Sequence, residues 1–447
     1  MKPSLTFLKY ARQNTPRYTS YPTAPHFHAG VDASVFARWL AAHDPKAAGS
    51  LYVHIPYCRE MCWYCGCSTR ATRKTGPVAT YTETLLAEID LAADSFASKP
   101  NITHIHFGGG TPTILTEAQF AAVMDRIRAR FDIPEAAEIA IEIDPRIFTA
   151  SKAGHLARCG VNRASIGVQT FDRIVQAKIN RIQPTGTVRD CVQNLRAAGI
   201  GNISFDLLYG LPGQTLDSCC DTVTTALALQ PDRLSVFGYA HVPHLKRHQK
   251  LIADDDLPGQ EIRIEQALVI ADAAQRSGFI PVGIDHYARP DDDMGQLIAA
   301  GKMRRNFQGY TTDQSEFLLG LGASAISRTP MGYAQNSPDV AAWTRAIKAG
   351  HLATVRGVAL ESDDRARGDI IERLMCDLEV DLDKVASAFE RPVGMPDMDD
   401  LIQDGIVRRQ GNRITLAEDS RMLARVVAAR FDTYLPTTNT ARLSVSV

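Results

Sequence analysis

Cys58, Cys62 and Cys65 are spaced C-x3-C-x2-C, and Cys67 follows two residues later. Thiolates clustered on one loop can bind a zinc ion or an iron–sulfur cluster. A structural zinc site ordinarily draws on a second C-x2-C knuckle far along the chain, and none exists here. Three thiolates can instead hold three irons of a cubane and leave the fourth open to chelate a ligand and pass it one electron. Zinc remains the competing reading. Inert core cysteines fit less well, because Arg59, Glu60 and Gly66 make the loop polar. For the scattered Cys159, Cys191, Cys219, Cys220 and Cys376, burial as small hydrophobes is the expectation.

Other candidate groups sit at the ends of strand-like runs. Gly108, Gly109 and Gly110 follow the run 102–107, where backbone without side chains lets a ligand approach closely. Glu142 and Asp206 lie on the polar faces of alternating runs at 138–143 and 203–208, where a carboxylate can accept from hydroxyls or an amine; solvated edge acids are the plain alternative. Further strands are expected at 51–55, 163–169, 234–240 and 281–285. Helical spacing falls between them at 82–97, 188–198 and 262–276. Alternating β and α units imply a parallel sheet with helices outside. One apolar and one polar strand face suit a curved sheet around a polar cavity, so the expected fold is α/β, a full or partial (β/α) barrel with chemistry at the C-terminal strand ends. A doubly wound sheet stays open on pattern alone.

The rhythm stops after residue 349. We therefore expect an arm over 1–50, a barrel-like catalytic domain over 51–350 and a mainly helical C-terminal domain with a small hairpin over 351–447. The 447 residues carry 49 basic and 50 acidic side chains, which argues against wholesale nucleic-acid binding. No apolar run approaches a membrane span, and residues 1–17 lack the apolar core of a signal peptide. A cytoplasmic protein is the expectation, with monomer as the default. The first 50 residues hold six basic and two acidic side chains, including Lys2, Lys9 and Arg17, a locally basic arm.

C-x3-C-x2-C after a first barrel strand resembles the radical S-adenosylmethionine (SAM) enzymes. Further segments narrow the likeness: Pro16-Arg-Tyr-Thr-Ser-Tyr-Pro-Thr23, Tyr52-Val-His-Ile-Pro-Tyr-Cys58, Cys65-Gly-Cys67, Gly108-Gly-Gly-Thr-Pro-Thr113, Ser165-Ile-Gly-Val-Gln-Thr-Phe171, Asp206-Leu-Leu-Tyr-Gly-Leu-Pro212 and Arg233-Leu-Ser-Val-Phe-Gly-Tyr-Ala240. With Asp285-His-Tyr-Ala-Arg-Pro290, Asn306-Phe-Gln-Gly-Tyr-Thr-Thr312, Tyr333-Ala-Gln-Asn336 and Phe431-Asp-Thr-Tyr-Leu435, the chain resembles the oxygen-independent coproporphyrinogen III oxidases over nearly its whole length.

That resemblance implies a [4Fe-4S] cluster on Cys58, Cys62 and Cys65, with SAM on the open iron and Cys67 beside the site without ligating. It also implies two SAM molecules. Tyr52, Gly109, Glu142 and Ala240 would contact the first. Tyr64, Gly110, Thr111, Gln169, Arg181, Asp206 and Ile326 would contact the second. Thr111 stands where many radical SAM relatives carry an acid. The implied chemistry is oxidative decarboxylation of two propionates of coproporphyrinogen III to vinyls, giving protoporphyrinogen IX. A SAM-derived radical takes the hydrogen atom, so no general base is required. An electron donor and an electron acceptor, neither identified, are needed. Arg17 and the stretch 302–305 could meet the substrate's carboxylates, with a solvated surface as the alternative. His54 reads as a core histidine. A haem chaperone or a haem-degrading methyltransferase of the same superfamily, and a zinc-stabilised binding module, are the rival readings; the chaperone typically lacks both the 16–23 arm and Cys67.

Overall fold

A computed structural model describes residues 4–435; Lys2 lies outside them. Six parallel strands lie side by side in chain order: β1 (Gly49–Ile55), β2 (Ile102–Gly109), β3 (Glu138–Ile143), β4 (Arg163–Gln169), β5 (Asn202–Tyr209) and β6 (Arg233–Gly238). Helices Gly76–Asp94, Glu117–Arg130, Ala150–Arg158, Thr185–Ala197, Leu216–Ala228 and Gln260–Arg276 follow them in turn. Right-handed crossovers between adjacent parallel strands place such helices on one face of the sheet. A doubly wound sheet needs the strand order to reverse at a switch point, and β1 to β6 show no reversal.

β7 (Phe317–Leu321) pairs parallel on the other side of β1. Antiparallel β8 (Ile326–Thr329), β9 (Gly332–Asn336) and β10 (Thr354–Ala359) continue outward. Beyond β6, the short strands His286–Ala288 and Ile280–Val282 complete twelve. The two outermost strands do not pair with each other, so of the full and partial barrels anticipated the open one forms. The strand expected at 281–285 stops at Val282, which leaves Asp285 off the ladder.

The apolar alternation does the packing. Phe107, Ile141, Ile166 and Phe205 are fully buried and join Leu85, Ile127, Leu195 and Val223 of the helices in one core. Each such side chain stabilises by roughly 1.5–3 kcal/mol, and Phe107→Ala would cost about 3–5 kcal/mol. Thr116, with Gln119, forms a capping box that starts helix Glu117–Arg130 just past the β2 turn. The opposite face carries the small and polar residues: Ser165, Gly167 and Asp206.

The arm divides between two cores. Helix Leu5–Ala11 buries Phe7, Leu8 and Tyr10 against the C-terminal helices Ser362–Cys376 and Ala424–Ala429, whereas helix Ala33–Ala41 buries Phe36 and Leu40 in the sheet's core. Between them Tyr18 donates to Asp432 (3.0 Å). Past residue 350, β10 still belongs to the large sheet, and the C-terminal hairpin Val407–Gln410/Arg413–Leu416 gains a third strand, Glu379–Asp381. Of the five scattered cysteines four are buried and Cys220 is exposed, a correction. Neighbours on a helix diverge by about 100°, so Cys219 faces the sheet and Cys220 cannot. No helix among the described residues is long and apolar enough to cross a membrane.

Candidate active site at the strand ends

β1 runs out at Ile55, and Tyr57–Cys58 then pairs with Arg70–Ala71. Arg70 N–H donates to Pro56 O (2.9 Å) and Thr72 N–H to Cys58 O (2.8 Å), which closes the cysteine loop at its base. Its tip is held by side chains from elsewhere: Lys246 Nζ donates to Cys67 O (2.8 Å), Gln249 to Tyr64 O (2.9 Å) and Asn180 to Met61 O (2.9 Å), and His248 Nε2 bonds Cys65 O (2.7 Å). Fixed at both ends, the loop presents Cys58, Cys62, Cys65 and Cys67 to a cavity of about 710 Å³.

Every ligand-candidate sulfur has polar company. Thr111 Oγ1 donates to Cys58 Sγ (3.4 Å), and Arg146 and Arg181 each donate to Cys62 Sγ (3.5 Å). Cys67 N–H donates to Cys65 Sγ (3.4 Å), and hydrogen bonding from the Cys67 thiol brings Cys65 down to about 6. Donors aimed at sulfur favour the thiolate, the form that binds metal. Burial, with a further push from Cys65 and Cys62, raises Cys58 against the Thr111 and Thr69 hydrogen bonds. Among the described residues no three His, Cys, Asp or Glu side chains converge on a single-ion position. Three thiols of one loop facing a common cavity, each with a donor on its sulfur, are a donor set that fits a [4Fe-4S] cluster.

The glycine turn forms the next wall. Gly110 N–H donates to Ile55 O (2.8 Å) and Thr111 N–H to Tyr57 O (2.9 Å), stitching β2's end to the loop base. Gly109 has φ +116°, and a Cβ there would sit 2.7 Å from the His54 ring. His54 is buried between Tyr52 Oη (3.0 Å) and Ser68 O (2.9 Å), and burial keeps it neutral, as a core histidine should be.

The acids come from the strands' polar faces. Glu142 accepts from Gly109 N–H (3.1 Å) and lies 3.3 Å from His106 Nε2. Asp206 accepts from Ser165 (3.1 Å); burial, then the Glu142 charge, push it up to about 6. Gln169 adopts φ +67° at a register shift in β4, a conformation that Gln adopts rarely and that turns it off the strand. Arg181 is 6% exposed, donates to Gly167 O (2.6 Å) and lies 3.7 Å from Asp144; its buried Nε has no partner among the described residues.

Tyr64, Gly109, Gly110, Thr111, Glu142, Gln169, Arg181, Asp206 and Ala240 thus line one cavity with the four cysteines. Tyr52 and Ile326 do not: Tyr52 stacks on His106 behind the wall, and Ile326 opens β8, packed near Phe27 and Tyr333. The expectations omitted Asp144 and Arg146. Arg146 pairs with Asp144 at 2.6 Å while reaching Cys62. An Asp-Pro-Arg turn directly after β3 was the available signal, since barrel chemistry gathers at strand ends.

Residues 52–226 match the model of the radical SAM superfamily. The oxygen-independent coproporphyrinogen III oxidase of Bradyrhizobium diazoefficiens is 50% identical over 96% of this chain and 96% of its own length. That of Pseudomonas aeruginosa is 39% identical over 96% and 95%. The solved coproporphyrinogen III oxidase HemN of Escherichia coli, described as a radical SAM enzyme, superposes with a TM-score of 0.90 at 36% identity, covering 97% of this chain and 99% of that one. Membership of the superfamily brings a [4Fe-4S] cluster and SAM with it. With such identity along its whole length, this chain belongs to the oxygen-independent coproporphyrinogen III oxidases of the radical SAM superfamily.

Proposed function

We propose that this protein oxidatively decarboxylates two propionates of coproporphyrinogen III to vinyl groups, giving protoporphyrinogen IX in oxygen-independent haem and porphyrin biosynthesis. One observation carries the assignment: the three-thiol loop, the glycine turn and the two strand acids wall a single cavity. When bound, a reduced [4Fe-4S] cluster supplies the electron that cleaves SAM and thereby the carbon radical that removes a propionate hydrogen atom. Loss of CO2 and of one electron to an acceptor then leaves the vinyl.

In this reading Cys58, Cys62 and Cys65 hold the cluster, and Arg146 and Arg181 stabilise charge on Cys62. Cys67 stays off the cluster, bonded through its N–H to Cys65. Gly109 and Gly110 let a SAM molecule lie against backbone. Glu142 and Asp206 are placed to accept from an amine or ribose hydroxyls, and Gln169 and Arg181 to orient polar groups. Two SAM molecules, grouped as the resemblance groups these residues, are part of the proposal; for Tyr52 and Ile326 it rests on that resemblance alone. Ile143, Leu208 and Phe237 supply the apolar wall that limits water near a radical. We also propose a cytosolic monomer with a catalytic unit over 51–350, covered by the arm and the C-terminal unit, served by a separate electron donor and acceptor.

Anaerobic reconstitution followed by metal analysis tests this first. About four irons and four sulfides per chain are expected, falling sharply in Cys58→Ala, Cys62→Ala and Cys65→Ala but not in Cys67→Ala. Tightly bound zinc without iron or labile sulfide would defeat it.

A further inference from the structure

A second compartment of about 470 Å³ opens beside the cluster cavity, and Arg17, Phe237, Tyr239 and Leu245 line both. Its charge is one-sided: Arg17, Arg263, Arg305 and Arg425 face a single carboxylate, Asp285. They come from four parts of the chain, namely the arm, helix Gln260–Arg276, the strand Arg304–Asn306 and helix Ala424–Ala429. Folding therefore gathers them at a cost, since like charges repel more strongly as the surroundings grow drier.

Several of these groups are already committed to building the compartment. Arg305 donates to the carbonyls of Arg17 (3.2 Å) and Tyr18 (3.3 Å), fixing the arm's path, and stacks over Tyr310. Arg263 donates to Tyr239 O (2.8 Å) while its buried Nε has no partner among the described residues. Arg425 is 8% exposed, and burial, reinforced by the Arg17 charge, holds its guanidinium below the usual range at about 10. Asp285 is occupied by His286 Nδ1 at 2.7 Å. The cavity is thus electropositive, partly dry and continuous with the site of chemistry, an arrangement that suits a carboxylate whose parent molecule extends into the cluster cavity.

We propose that Arg17, Arg263 and Arg425 anchor carboxylates of the substrate that are not reacting, and that this anchoring presents the opposite edge of the macrocycle to the SAM-lined cavity. Arg305 is a positioning residue that holds the arm and Arg17. The assignment rests on the substrate reading above. It also corrects the basic stretch expected to serve: Arg304 turns away to Glu372 (3.2 Å), and Lys302 lines neither compartment.

Coproporphyrin III, the oxidised and fluorescent form with the same four propionates, is the probe. Its affinity for the reconstituted protein is read by fluorescence quenching, beside isothermal titration of SAM. Arg17→Gln and Arg425→Gln should each weaken the porphyrin about tenfold or more, with Arg425→Lys recovering part of the loss. The exposed Arg17 covers the case in which Arg425→Gln fails to fold, which circular dichroism would show. Porphyrin affinity within about twofold of the parent in folded Arg17→Gln and Arg425→Gln proteins would overturn the anchoring. A parent protein that binds SAM but no coproporphyrin III would instead overturn the substrate reading, and the anchoring with it.

Discussion

Arg181→Leu separates the structural from the electronic duty of a buried guanidinium. Arg181 holds Gly167 O, approaches Asp144 and donates to Cys62 Sγ. Its removal orphans neither oxygen group, because Gln183 Nε2 still reaches Gly167 O (3.3 Å) and Arg146 still pairs with Asp144 at 2.6 Å. The stability loss should therefore fall below the ~3–5 kcal/mol of stranding a buried charge, at about 1–2 kcal/mol. Cys62, however, loses one of its two cationic donors. A charge-assisted bond is worth about 1.5–3 kcal/mol, and the 3.5 Å contact belongs at the weak end. For a one-electron couple about 1.5 kcal/mol corresponds to roughly 60 mV. Losing positive charge disfavours the reduced cluster, so the midpoint should become more negative by about that amount. Arg181→Lys, which keeps the charge on a single donor group, should recover much of it. A redox titration of the reconstituted protein followed by electron paramagnetic resonance reads the shift. A midpoint within about 20 mV of the parent, in a variant measurably less stable, would refute the electronic role and leave Arg181 as packing.

Two further outcomes follow from the geometry. In Gly110→Ala the new Cβ would lie 2.7 Å from Tyr57 O, backbone that cannot move without displacing Cys58; SAM affinity by calorimetry should fall about tenfold or more, whereas Gly186→Ala, in open space, should leave it unchanged. Glu88 is fully buried under Trp343, Asn336 and Gly322, and burial pushes it up to about 7. The folded state therefore retains a proton that the unfolded chain releases near pH 4.5, so stability should decline between about pH 4.5 and 7, by up to roughly 3 kcal/mol. Glu88→Gln should flatten that decline in thermal melts, and parallel pH profiles would count against it.

The strands were legible where one face alone met the core. Ile139, Ile141 and Ile143 alternate with Glu138, Ala140 and Glu142, and β3 and β4 fall on the residues that the pattern indicates. The arm was not legible as a unit, because Phe7 and Tyr10 pack on helices more than 350 residues later and no local spacing records such a contact. At the site, the thiols, the glycine turn and the strand acids announce themselves by type and position. Arg146 does so only by its place in a turn after a strand: an arginine after Asp-Pro has no telling type until the fold brings it 3.5 Å from Cys62. Arg263 and Arg425 are likewise plain helix cations in sequence, and only the closed chain makes them neighbours of Arg17.

The central claim is that this cavity turns a propionate of coproporphyrinogen III into a vinyl by hydrogen-atom transfer to a SAM-derived carbon. Anaerobic incubation of the reconstituted protein with SAM, a low-potential reductant, an electron acceptor and coproporphyrinogen III deuterated at the propionate β-carbons tests it most directly. Protoporphyrinogen IX should form with release of two CO2, and deuterium should appear in the 5′-deoxyadenosine. Turnover with unlabelled 5′-deoxyadenosine, or SAM cleavage with no vinyl product, would contradict it.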